Sequence, residues 1–474
     1  MKTFLVVKVL DVNYNPHKAT LVDVLFVGTG PNAGRHSMKP VGPTGVFEIE
    51  IPDDVDEIQI GIDEPGFFPI GQSLRIKRNG PTPTLAFTNI GQEVNCRNLD
   101  GHARGGGDFN LEAFFVLGQL QDAHDSIEAL KIRFPANGSG RKIFTSDPVP
   151  RPVIDFTGLT VLNSSISEKW QRLIHNPIPS VAPKGKMFYA ERTTVPKLVG
   201  IWVPEGATVT RERDKVNPGQ VPLNFHLFYH PSPGVLSGFY PFDFAFVDLI
   251  IRYMIYWKFL HKAMINQHQA AGSKSLLIFP VGDPAQWNGN FGSQTSILRL
   301  LQEVAYFVQR RQKIAFPLQP VGRCAVSGFS AGGQYVVSAL GGDDRFFHDN
   351  VLAEIYGFDI RMDVSDFASK LSAWWRGGKD RRAFRIYTTV PEHFNALEGI
   401  DRAAGLFIGA EGAKERQGPQ TNLVLMPVAG FWTGLHPESP PNPDLYQKFN
   451  ANFDDVHQMF PALFLEHATK HSTL

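Results

Sequence analysis

The chain has 474 residues, and its 46 Lys+Arg are balanced by 46 Asp+Glu, so the formal net charge is zero. A length of this order suggests two or three structural units, and a chain without cationic excess has little with which to release counterions from phosphate, which disfavours nucleic acid as a partner. Two cysteines, Cys96 and Cys324, exclude a disulfide framework, and 37 phenylalanines require a large buried core.

The first ten residues combine an early lysine with an apolar run, but Lys8 and Asp11 interrupt it and no small-residue cleavage site follows, so they read as a strand and not as a leader. The expected location is cytoplasmic, or outside the cell by a route without an N-terminal signal. Runs at residues 20–28, 45–51 and 57–62 carry β-branched and aromatic residues between turn formers, the spacing of a β-sandwich. The run Gly105-Gly106-Gly107 reads as a flexible joint, and a second breaker-rich stretch lies at 135–152. These marks place an all-β sandwich in residues 1–110 and a larger catalytic unit in residues 111–474, with a lead-in segment between the two breakers.

From about residue 155 strand and helix patterns alternate, as in a mostly parallel sheet flanked by helices. Strands are expected at 197–203, 223–230, 275–280, 322–327, 351–358, 384–389 and 423–428. The segment 242–260 is densely apolar, yet it holds Asp243, Asp248, Arg252 and Lys258, too many charges for a membrane span, and reads as a buried helix. From Ser296 the apolar positions Ile297, Leu300, Leu301, Val304, Ala305 and Val308 fall on one helical stripe. A final helix is expected from about Asp454.

The strand at 322–327 runs directly into Gly328-Phe329-Ser330-Ala331-Gly332-Gly333. A serine exposed at the tip of a sharp strand-to-helix turn needs small residues two before and two after it, so that the crowded backbone can close. In this motif, and in the order of strands and helices around it, residues 190–474 resemble the α/β-hydrolase superfamily. The resemblance implies an α/β-hydrolase fold with Ser330 as nucleophile, then a carboxylate, then a general-base histidine near the C-terminus.

For the base, the resemblance points to His457, which opens the last helix in His457-Gln458-Met459-Phe460-Pro461, with His436 as the alternative. His226 and His230 precede the serine and do not fit the order. For the acid, Asp359 ends the strand after the nucleophile helix and Glu392 follows the next strand, with Asp401 a further candidate. One oxyanion donor is expected at the backbone N–H of Ala331. The second would come from Tyr229-His230-Pro231-Ser232, where the family carries His-Gly. Pro231 has no N–H to give, so the position falls to Ser232.

No C-x-x-C, H-E-x-x-H or P-loop sequence occurs, so no metal or cofactor is implied. The expected activity is cleavage of an ester through an acyl-enzyme, on a small-molecule or lipid-like substrate with an apolar or aromatic acyl group. Trp287, Phe291, Phe431 and Trp432 in loops after strands motivate that substrate class. A serine peptidase and a binding protein that keeps the fold without turnover are the alternatives. The sequence says nothing of oligomeric state.

Overall fold

The computed structural model describes residues 2–11, 13–19, 21–88, 96–124, 183–192, 195–196, 198–231, 250, 253–254, 263–281, 292–315, 317–408, 413–426 and 453–474. Among the described residues the chain begins with ten strands: β1 (Thr3–Leu10), β2 (Val22–Val27), β3 (Gly34–Ser37), β4 (Lys39–Pro40), β5 (Val46–Ile51), β6 (Glu57–Ile62), β7 (Ile70–Lys77), β8 (Thr84–Phe87), β9 (Cys96–Arg104) and β10 (Asp108–Val116). They form two sheets, β4-β5-β1-β10-β9 and β3-β2-β6-β7-β8. The second is wholly antiparallel, whereas β1 and β10 of the first run parallel. Leu5, Val7 and Val9 of β1 alternate inward and meet Val24, Ile58, Ile60 and Leu74 from the facing sheet, so one buried cluster joins both sheets.

The glycine run does not separate two units. Gly105–Gly107 is the turn between β9 and β10, which pair in antiparallel register from Arg104 and Asp108 onward. Gly106 and Gly107 sit at φ of 86° and 91°, a backbone region that a tight turn uses and a side chain resists. Residue 110, where the sequence ends the first unit, lies within β10 and pairs with β1. The crossing into the larger sheet comes after β10, at Leu117–Gln119. The breaker-rich stretch at 135–152 lies outside the described residues.

Among the described residues eleven strands make the larger sheet: β11 (Leu120–His124), β12 (Gly185–Arg192), β13 (Leu198–Pro204), β14 (Leu223–Tyr229), β15 (Leu276–Val281), β16 (Val321–Phe329), β17 (Leu352–Phe358), β18 (Ala383–Thr388), β19 (Gly405–Ile408), β20 (Lys414–Gln417) and β21 (Thr421–Leu425). Their order is β11-β12-β13-β15-β14-β16-β17-β18-β21-β20-β19, with a parallel centre from β15 to β21 and antiparallel strands on each flank. Strands β15, β17 and β18 are buried along their whole length, and β14 at all but Asn224, which is why they read as nearly continuous apolar runs.

Six helices matter for the site: α1 (Met264–Ala270), α2 (Gln294–Arg311), α3 (Gly333–Leu340), α4 (Val364–Arg376), α5 (Pro391–Leu397) and α6 (Phe453–Lys470). Helix α2 starts two residues before the expected Ser296, because Ser293 caps it by accepting from the Ser296 N–H. Apolar side chains of α2, α3, α4 and α5 pack with Phe225, Leu227, Val326, Ile355 and Ile386 in one core. On the strand positions between these, aromatic rings stack from strand to strand: Phe279 on Phe228, Phe228 on Phe358, Phe358 on Tyr387, and Tyr387 on Phe464 of α6. Part of the phenylalanine surplus is therefore sheet-to-helix packing. The apolar segment 242–260 lies mostly outside the described residues, and no described helix is long and apolar enough to cross a membrane.

The sandwich is joined to the larger sheet through α2 and the segment after it. Gln59 of β6 accepts from the Leu318 N–H at 3.0 Å, and Leu318 clusters with Tyr306 and Ile314. Phe68 meets Phe307 edge to face at 6.0 Å. The join is thus a buried apolar contact with one buried hydrogen bond inside it, and Arg310 of α2 pairs with Asp63 at its exposed edge at 2.8 Å.

Candidate active site

Strand β16 ends at Phe329, and a short 3₁₀ turn, Ser330–Gly332, carries the chain into α3. Ser330 is half-buried at φ 54°, a left-handed conformation uncommon for a residue with a side chain and costing of order 1–3 kcal/mol. The flanking glycines show why the turn needs them. A Cβ on Gly328 would lie 2.7 Å from the carbonyl oxygen of Gly332, and one on Gly332 would press on the Tyr229 carbonyl and lie 2.7 Å from that of His230. The motif is thus a consequence of close packing between the turn and the end of β14. The Ser330 carbonyl accepts from the Arg361 N–H at 2.9 Å, which ties the turn to the loop after β17.

Asp359, the residue after β17, is fully buried and also left-handed, at φ 43°. Its N–H donates to the Tyr387 carbonyl at 2.7 Å. Its Oδ1 accepts from the Thr389 N–H at 2.8 Å and from the Thr389 hydroxyl at 2.9 Å. Its Oδ2 lies 2.6 Å from Nδ1 of His457, the distance of a charge-assisted hydrogen bond. Arg361 sits farther off, with Nη2 at 3.6 Å from Oδ2. Burial raises the Asp359 carboxyl, but the bond and charge of His457, the Thr389 N–H and the Arg361 charge outweigh it and hold the group below the usual aspartate range. Asp359 is therefore an ionised acceptor at neutral pH.

His457 lies in the first turns of α6, buried, with its ring against Phe329 at 4.7 Å between centroids. The residue beside Ser330 thus packs on the imidazole that Asp359 orients. A carboxylate on Nδ1 fixes the tautomer with Nε2 as the acceptor, which is the state a general base requires.

Of the residues singled out from sequence, Asp359 and His457 are brought together. Ala331 follows Ser330 in the 3₁₀ turn that opens onto α3, where the leading N–H groups of a helix lack intrahelical acceptors. Glu392 is exposed in the first turn of α5. Asp401 accepts from the Thr421 hydroxyl at 2.6 Å, a structural bond at the start of β21. Ser232, His436 and the loop aromatics Trp287, Phe291, Phe431 and Trp432 lie outside the described residues. His226 is buried, with Nε2 2.9 Å from the Ser327 hydroxyl, and desolvation pushes its pKa well down. His230 is buried beside the elbow, its Nδ1 2.7 Å from the Pro231 carbonyl, and burial lowers its pKa to about 4.

One contributor was not singled out from sequence. Thr389 supplies two of the donors to Asp359, and its position one residue past β18 was the available signal. His393, in α5, is half-buried and close enough to Asp359 and Arg361 to feel both charges, although burial dominates and lowers its pKa.

No protein-family model matches the chain, and no curated protein matches it. Among solved structures, lipase A of Candida antarctica is 11% identical, over 58% of this chain and 50% of its own, with a TM-score of 0.21. An acylaminoacyl peptidase of Pyrococcus horikoshii is 10% identical, over 74% of this chain and 65% of its own, with a TM-score of 0.23. The dioxygenase domain of a dioxygenase carbohydrate-binding protein fusion from Streptomyces sp. SirexAA-E is 16% identical, over 24% of this chain and 79% of its own, with a TM-score of 0.18. The chain thus spans half of the lipase and 65% of the peptidase. At scores this low none of these likenesses bears on the activity of this chain.

Proposed function

We propose that the chain is a serine hydrolase of the α/β-hydrolase type, cleaving an ester through an acyl-enzyme. The observation that carries the reading is the buried 2.6 Å pair of Asp359 and His457, set against the residue that precedes a strained Ser330. The parallel centre of the sheet supports it, because serine, acid and histidine then arise in chain order from the end of β16, the end of β17 and the start of the last helix.

In this mechanism Oγ of Ser330 attacks the ester carbonyl while Nε2 of His457 takes its proton. The charge gained by the imidazole is balanced by Asp359, which stays ionised. The oxyanion develops toward the Ala331 N–H, and a second donor near Ser232 belongs to the proposal. When the C–O bond breaks, the leaving alcohol takes the proton from Nε2. Water, deprotonated by the same nitrogen, then attacks the acyl-enzyme and frees Ser330. The proposed substrate is a small or lipid-like ester with an apolar or aromatic acyl group, on the strength of the aromatic loop sequences at 287–291 and 431–432.

The test is labelling by a fluorophosphonate, followed by turnover of p-nitrophenyl esters of graded acyl length beside the matching acyl anilides. Labelling that vanishes in Ser330→Ala, with ester turnover down about 10⁴-fold or more, supports the reading. Faster anilide than ester cleavage would move the proposal to a peptidase. A wild-type chain that neither labels nor turns over would overturn it in favour of a binding protein.

A further inference from the structure

Helix α6 carries His457 near its start and Pro461 in its interior. A proline has no N–H, and in an α-helix the N–H of residue 461 would bond to the carbonyl of residue 457. The helical bond lost to Pro461 is therefore the one that would tie down the backbone of His457 itself. Beyond the proline a side chain from another helix bonds to the backbone of α6. Gln267 of α1, fully buried, donates from Nε2 to the Pro461 carbonyl at 3.1 Å and accepts at Oε1 from the Glu466 N–H at 3.0 Å.

The carbonyl and the N–H that Gln267 holds lie five residues apart on α6. One primary amide, with a donor and an acceptor on the same plane, serves both. The far end of the helix is held separately: Glu354 of β17 accepts from the Thr473 hydroxyl at 2.7 Å and the Ser472 hydroxyl at 3.1 Å. The helix is thus held at His457 by Asp359, the residue after β17, and just past its end by Glu354 of β17, and Gln267 bears on the stretch between.

We propose that Gln267 is a positioning residue for His457: by holding two backbone groups of α6 at and just past the proline it fixes the turn that carries the imidazole, and so sets Nδ1 against Asp359. This rests on the serine-hydrolase reading for its consequence in turnover, but not for its geometry. A valine or leucine at 267 would remove both bonds, and the first turn of α6 would lose that hold. A displacement near 1 Å of a base from its working position costs on the order of 10²-fold in rate.

The experiment compares wild type, Gln267→Met, Pro461→Ala and the double variant. Three quantities are read: kcat and KM on one p-nitrophenyl ester, the thermal midpoint, and the low-field proton resonance of the His457 Nδ1–H bonded to Asp359, assigned by its loss in Asp359→Asn. Gln267→Met is expected to lower kcat about 10- to 100-fold, with KM within about threefold, and to broaden or abolish the resonance. Pro461→Ala restores a backbone donor, so the double variant should recover part of both.

If Gln267→Met lowers the thermal midpoint but keeps kcat and the resonance, Gln267 only fills space and the proposal is wrong. Should that variant not fold, Gln267→Glu keeps an acceptor for Glu466 and takes its place under the same two outcomes. Should wild type turn over no ester, the hydrolase reading fails by itself, and retention or loss of the resonance still decides the role of Gln267.

Discussion

Asp359→Asn is the substitution for which the local hydrogen bonds predict most. Oδ1 accepts from the Thr389 N–H at 2.8 Å and from the hydroxyls of Thr389 and Thr388 at 2.9 and 3.4 Å, while Oδ2 faces Nδ1 of His457 at 2.6 Å. An asparagine must place its NH₂ at one of these two positions. At Oδ1 it would meet the Thr389 N–H donor to donor, leaving a buried donor unmade at a cost of about 1–3 kcal/mol. Directed at His457 it keeps the threonine bonds and donates to Nδ1, so the second orientation is expected. The ring proton then moves to Nε2, and the nitrogen that should accept from Ser330 no longer can. A tautomer error of this kind lowers kcat by about 10⁴-fold, or about 5 kcal/mol at 1.36 kcal/mol per factor of ten. The assay is kcat on an activated ester, with the thermal midpoint measured alongside, and Glu392→Gln as the control. Glu392 is exposed, so its variant should stay within about twofold of wild type. An Asp359→Asn enzyme within tenfold of wild type at an unchanged midpoint would refute the reasoning, as would a large fall in Glu392→Gln.

Gly332→Ala would press a methyl group on the backbone carbonyls of Tyr229 and His230 and should cost at least about 1–3 kcal/mol in urea unfolding, whereas Gly105→Ala, with nothing within 4 Å, should stay within about 0.5 kcal/mol. Acid should weaken the fold before the carboxylates titrate, because burial lowers the pKa of His230 to about 4 and of His268 to about 3. The unfolded chain binds those protons first, so each histidine withdraws up to about 2 kcal/mol between pH 7 and pH 5; urea midpoints across that range check it, and His268→Gln should flatten the slope. Asp359, with its pKa depressed, adds stability above the ordinary aspartate range and gives it up only as pH falls through its lowered folded value. A chain begun at residue 119 would uncover Phe307, Tyr306 and Leu318 and should aggregate on expression; a soluble fragment with a cooperative melt would show the sandwich to be an independent appendage.

What could be read from sequence was what close packing writes into neighbouring residues. The elbow was legible because Gly328 and Gly332 touch each other and the end of β14, and nothing larger fits. The helix α2 was legible because its stripe repeats every turn, and β6 because its ends are marked by turn formers. The glycine run at 105–107 misled for a physical reason: positive φ is needed by a two-strand turn and tolerated by a flexible joint, and composition does not distinguish the two. The join between the sandwich and the larger sheet was invisible, since Gln59 and Leu318 are 259 residues apart and neither carries a motif.

The choice between Asp359 and Glu392 was of this second kind. Both follow a central strand, both have the right charge, and both fit the order of serine, acid and histidine. What separates them is strand register, which no local pattern states. Phe358 pairs with Tyr387, so the residue after β17 arrives beside Thr388 and Thr389, and three donors from the end of β18 converge on its Oδ1. Chain that continues from β18 reaches Glu392 only after turning into α5, where the first helical turn presents it to solvent. A carboxylate held by neutral donors and one imidazole, with the Arg361 guanidinium nearby, can be buried and still ionised; one left on a helix surface has no such enclosure. On the proposed reading, the acid is selected by which strand end the neighbouring strand can cap with threonines, and Thr389→Val is the variant that follows from it. It removes the hydroxyl bond and keeps the backbone N–H, so it should raise the Asp359 pKa and cut kcat by less than Asp359→Asn. A Thr389→Val enzyme as inactive as Asp359→Asn, with the fold intact, would mean that the threonine and not the carboxylate is what His457 depends on.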